Sequence, residues 1–181
     1  MVMGVSPILV VFGAIYHWYP KISGRMWNER LGKAHFWLTF LGTYAIYLPM
    51  HYLGILGVPR RYYALGDTAF IPDSVHSINA AITIAALIVA AAQVIFLYNM
   101  IVSLKKGAKA PPNPWKATTL EWQTPDTPPH HGNWGPKLPV VHRWAYDYSV
   151  PGAKDDFIPQ NEPVDPKLGA EVPGKVVQVL A

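Results

Sequence analysis

Two adjacent arginines, Arg60 and Arg61, are the residues of this chain best suited to hold a ligand. They stand in the run Val58-Pro59-Arg60-Arg61-Tyr62, at the end of a stretch, 34–59, that contains no Asp, Glu, Lys or Arg. A guanidinium stays charged and presents a rigid, planar fork of donors that matches a carboxylate or a phosphate. At the edge of a low-dielectric layer such pairing is stronger than in water. Two readings are open at this point: recognition of an anion, or a pair of interfacial anchors whose long stems reach lipid head groups.

Histidine is the other candidate, since imidazole is a common metal ligand. His17, His35, His51 and His76 lie within or at the ends of apolar runs. No His-x-His or His-x-x-x-His spacing links them there, so the expected role is hydrogen-bonded helix packing. His130, His131 and His142 read as surface residues. Cysteine is absent, which removes disulfides and thiolate metal sites without fixing a redox compartment. No Walker loop, Rossmann glycine pattern, serine elbow or paired carboxylate occurs. No catalytic residue and no metal ligand is therefore assigned. A net charge of +4, scattered along the chain, gives no ground for a nucleic-acid partner.

These residues need elements to carry them. Residues 1–20, 34–59 and 74–104 contain no charged side chain. Charge is costly in hydrocarbon, so charge-free runs of about 20 residues predict membrane spans. The first span is expected over about 1–19, with Pro20 at its exit and Lys21 to Arg25 as a polar turn. It lacks a basic n-region and a small-residue cleavage site, so it reads as a span and not as a signal peptide. The second is expected over about 34–57 and contains Pro49, which membrane helices tolerate when neighbours satisfy the freed carbonyl. The third, over about 77–104, has an alanine-rich centre that lets helices approach closely, and Lys105-Lys106 stops it.

Loop charge sets the orientation. Lys21, Arg25, Arg30 and Lys33 lie between the first two spans, and Lys105, Lys106 and Lys109 follow the third. The 58–73 connection carries Arg60 and Arg61 with Asp67 and Asp73. The positive-inside rule places the first loop and the tail on the cytoplasmic or matrix side. The arginine pair then faces outward, where positive charge is disfavoured.

The chain divides at Lys106. Residues 1–106 form the predicted three-helix membrane region, and 107–181 a polar tail holding 13 of the 18 prolines. Proline clusters favour extended, polyproline-like paths. Trp115, Trp122, Trp134 and Trp144 are more aromatics than a disordered tail carries. The tail is expected to lie across another protein surface, and beyond Trp134 to be ordered by contact with partner subunits and not by a core of its own.

Several separated motifs share an order and spacing with a known family. His17-Trp18-Tyr19-Pro20, Lys33-Ala34-His35-Phe36, Pro49-Met50-His51-Tyr52-Leu53-Gly54 and Pro59-Arg60-Arg61-Tyr62 resemble the last third of haem-copper oxidase subunit I. So do Asn113-Pro114-Trp115, Thr119-Leu120-Glu121-Trp122 and Pro128-Pro129 beyond the third span. The resemblance covers about residues 1–134. It implies an all-α membrane protein whose spans are the tenth to twelfth helices of a twelve-helix bundle, followed by an extended proline-rich tail. It also implies that Arg60 and Arg61 bind haem propionates.

The activity implied is that of an aa3-type terminal oxidase, passing electrons from cytochrome c to oxygen and pumping protons. Haem a would be shared with the rest of subunit I, and copper would be held by the full enzyme with no ligand from this chain. Expected partners are the remainder of subunit I, subunits II and III, cytochrome c as donor, and membrane lipid. The location implied is a bacterial plasma membrane or the inner mitochondrial membrane. The family's tenth helix carries a His-x-His haem-ligand pair, which by spacing falls immediately before Met1. A gene fragment or one half of a split subunit is therefore expected, not competent alone. The alternative is a haem-free, non-catalytic membrane scaffold or accessory subunit.

Overall fold

Each charge-free run becomes a helix in the computed structural model, which describes residues 2–59, 72, 74–129, 132–150 and 153–163. Helix α1 is Val2–Ser23, α2 is Glu29–Ile55 and α3 is Ser74–Lys106. At 1.5 Å per residue, the 33 residues of α3 reach about 50 Å, well beyond a hydrocarbon core of about 30 Å. Among the described residues, α3 alone is long and apolar enough to cross a membrane by length and composition. Only 17% of its most apolar window is buried in this chain. A core helix of a soluble domain would be mostly covered. Ile84, Leu87, Val94, Leu97 and Ile101 instead stand exposed along it, surface that lipid or another protein must cover.

The helix ends follow from local chemistry. Asn28 caps α2, its side chain accepting from the Leu31 N–H at 3.2 Å. At the other end Gly57 takes φ +85°. Gly57 N donates to Gly54 O at 3.1 Å and Val58 N to Leu53 O at 3.1 Å, the paired bonds of a Schellman motif. Pro20, expected at the exit of the first span, lies inside α1, which runs on to Ser23. A proline there cannot donate to the carbonyl of Tyr16. The indole Nε1 of Trp27 does so instead, at 2.9 Å.

The chain forms two compact units. The first holds residues 1–17 and 27–107. In it α2 and α3 run antiparallel: His35, early in α2, meets Gln93, late in α3, while Leu53 packs with Val75 and Ile82 at the opposite end. Val58 packs on that same cluster, which completes the end of α2. A Cβ on Gly42 would overlap Cγ2 of Val89, so glycine there lets α2 and α3 approach.

The second unit holds residues 18–26 and 108–181, described to Pro163. Residues 24–26 pair with 108–110 through Met26 N→Ala108 O at 2.8 Å and Ala110 N→Gly24 O at 2.9 Å. Apart from residues 18–23, the end of α1, and the 3-10 turn Leu120–Trp122, no helix is described here, and no strand beyond isolated bridges. Yet Trp122, Thr118 and Ile158 are buried. Beyond Trp134, where order by a partner alone is expected, Ile158 and Arg143 are buried within this chain itself. Side chains supply the bonds that ladders would otherwise make. Gln160 accepts from Leu120 N at 3.0 Å and donates to Arg143 O at 3.2 Å, while its backbone N donates to Thr118 O at 3.0 Å. Arg143, with 4% of its side chain exposed, donates to Glu162 O and Pro163 O and faces Asp147 at 3.5 Å. Lys21 donates to the Glu121 carbonyl, and burial holds its ammonium below the usual lysine range, opposed by the Glu121 charge.

Candidate functional site

Two arrangements position polar groups in the helical unit. One is built around His35, 2% exposed, on the face of α2 that meets α3. Gln93 Nε2 donates to Val89 O at 3.0 Å and to Thr39 Oγ1 at 3.2 Å. That turns Gln93 Oε1 toward His35 Nε2, 3.2 Å away. The pattern assigns the proton to Nε2, so Nδ1 accepts from the Tyr16 hydroxyl at 3.2 Å. Phe12 meets the imidazole edge-on at 4.8 Å and Phe96 lies 5.2 Å away. Both ring nitrogens are engaged, so His35 offers none to a ligand. Its bonds tie α1, α2 and α3 together, the packing role expected from the sequence.

The second arrangement is Asn99, fully buried in α3. Its Oδ1 accepts from Asn28 N at 3.0 Å and its Nδ2 donates to Asn28 O at 3.0 Å, as a backbone partner would. Ser103 donates to the same Oδ1 at 3.2 Å. The N-terminus of α2 is thus fixed on α3. Sequence reasoning passed over Gln93, Asn99, Tyr16 and Thr39. Their signal was present: two amides in the most apolar run of the chain, where an unpaired amide is costly.

Among the described residues no cluster of three or more His, Asp or Glu could hold a metal ion. His51 Nδ1 donates to Tyr47 O at 2.7 Å, within its own helix. His17 and His76 stand on α1 and α3. His142 lies in the second unit, its N–H donating to Gln160 O at 2.8 Å. Arg60 and Arg61, the expected site, lie outside the described residues, as do His130 and His131. What is described is the approach to the pair. The Schellman motif at Gly57 ends α2, and Val58 and Pro59 lead directly to Arg60.

A helical chain whose longest helix exposes its apolar surface, and whose Gln93, Asn99 and His35 are paired between helices, has the construction of a membrane protein. Residues 1–88 match the family described as Cytochrome C and Quinol oxidase polypeptide I. The chain belongs to that membrane-integral family. It is 68% identical over 170 residues, 94% of its length, to the alternative cytochrome c oxidase subunit 1 of Bradyrhizobium diazoefficiens. It is 46% identical over 140 residues, 77% of its length, to cytochrome c oxidase subunit 1 of Synechocystis sp.. A heme-copper oxidase subunit I+III of Aeropyrum pernix is 39% identical over 135 residues, 75% of the chain. The matched regions are 28%, 24% and 16% of those relatives, so the chain spans about a quarter or less of their length.

Proposed function

We propose that this chain supplies the last three membrane helices and the inner tail of subunit I of an aa3-type terminal oxidase, with Arg60 and Arg61 holding haem propionates. The observation that carries the reading is the arginine pair itself. It follows the capped end of α2 in a chain 68% identical over nearly its whole length to a cytochrome c oxidase subunit 1.

The donor set fits such a group. Two permanent cations one residue apart can each offer a fork to a carboxylate. Haem a, when bound, supplies the iron centres that carry electrons. The chain's own part is to neutralise their carboxylates and to close one side of the bundle. Here α1, α2 and α3 serve as the tenth to twelfth of twelve helices. Seven Lys and Arg flank the proposed inner ends against Arg60 and Arg61 outside, which supports an inner tail. Subunits II and III, the remainder of subunit I with its copper site, and cytochrome c as donor complete the proposed assembly.

Complementation tests it. The chain co-expressed with the preceding part of subunit I should yield a membrane complex with the absorption of two haems. A haem-free complex, with both chains inserted and associated, would favour a scaffold.

A further inference from the structure

A groove of about 280 Å³ runs between α2 and α3, lined by Trp37, Leu38, Leu41, Ala45, Ala85 and Ile88. Gly42 forms its floor, where α2 comes close to Val89. Its lining is almost wholly apolar, and Trp37, Leu41 and Ile88 stand exposed on its walls. A narrow apolar groove of this kind, open along the helices, suits an alkyl chain.

A cation stands in line with it. Trp37 and Leu41 follow Arg30 by seven and eleven residues, so all three lie on one stripe of α2, each within about 20° of Arg30 on opposite sides. By helix rise Arg30 sits about 10 Å beyond the Trp37 end of the groove. The neighbouring Lys33 is taken by Glu29 at 2.7 Å. Arg30 is exposed and forms no ion pair with any other described residue. Tryptophan between a cation and an apolar groove is the order of groups met on passing from head group to acyl chain.

We propose that this stripe binds one anionic phospholipid, its phosphate on Arg30, its glycerol region against Trp37 and one acyl chain in the groove. Charge complementarity selects this occupant. A zwitterionic head group would bring its own cation to Arg30, and an apolar helix would leave the guanidinium without an anion. The inference rests on the membrane reading above, which puts Arg30 at the inner face, where anionic lipids gather. It does not depend on haem.

The full chain is placed in nanodiscs of equimolar phosphatidylglycerol and phosphatidylcholine, extracted in mild detergent, and its retained lipid counted by mass spectrometry. Phosphatidylglycerol should be enriched about fivefold, the selectivity given by about one interfacial cation. Arg30→Gln should bring the ratio close to one. Ala45→Leu, a change at an exposed position facing the groove, should lower retention of both lipids with helix content by circular dichroism unchanged. Lys106→Gln, a cation at the same end but on α3, should leave the enrichment intact. Equal retention of the two lipids by the unaltered chain would overturn the site. So would enrichment that survives Arg30→Gln, or falls equally with Lys106→Gln. Recovery of the chain in a carbonate wash of membranes would strike the membrane reading first, and the lipid site with it.

Discussion

His35 holds three helices together with one ring. The Tyr16 hydroxyl satisfies one nitrogen and Gln93 the other, so truncating any member leaves a polar atom in an apolar interior. Tyr16→Phe should destabilise the chain by about 1–2 kcal/mol, since Nδ1 loses its donor. His35→Ala should cost more, about 2–4 kcal/mol, because it adds a cavity between Phe12 and Phe96. Denaturant unfolding in detergent micelles measures both, and equal stabilities would remove the network from the account. His35 was legible in the sequence as a packing residue because it shared no ligand spacing with another histidine. Its partners were not. They lie 19 residues before and 58 after it, and antiparallel helix packing alone brings them together.

The approach of α2 to α3 depends on Gly42 where the centres of the helices meet. Val89 is β-branched and stiff at χ1, so it cannot swing aside for a new side chain. Gly42→Val should therefore push the helices apart and cost about 1–3 kcal/mol, as overpacking does elsewhere. Chemical cross-linking of introduced cysteines at positions 46 and 82, which meet in the cluster of Leu53, Val75 and Ile82, should slow in that variant; an unchanged rate would mean that the interface absorbs the group. All three helices were readable from the absence of charge. The overrun of α1 beyond Pro20 was not, because it needs the Trp27 indole to cap the Tyr16 carbonyl.

The whole chain joins a helical unit to a second unit made mostly of tail. Among its described residues the tail has little regular structure and makes an interior of its own, which its prolines do not announce. That interior depends on particular polar side chains, Gln160 and Arg143 above all, which no periodicity announces. Gln160→Ala removes the partner of Leu120 N and should destabilise the second unit by about 1–3 kcal/mol. Limited proteolysis between 135 and 150 should then quicken several-fold, whereas an unchanged rate would show that Gln160 is incidental. Membership of the oxidase subunit I family gives this assembly its setting.

The central claim, that Arg60 and Arg61 hold haem propionates, is tested most directly by haem redox titration of the assembled oxidase carrying Arg60→Gln or Arg61→Gln. A cation beside the propionates favours the reduced haem, which carries one positive charge fewer. Its removal should lower the midpoint potential, and lysine, which keeps the charge but loses the planar fork, should lower it less. Unchanged potentials with full turnover in both glutamine variants would contradict the claim and leave the pair as interfacial anchors.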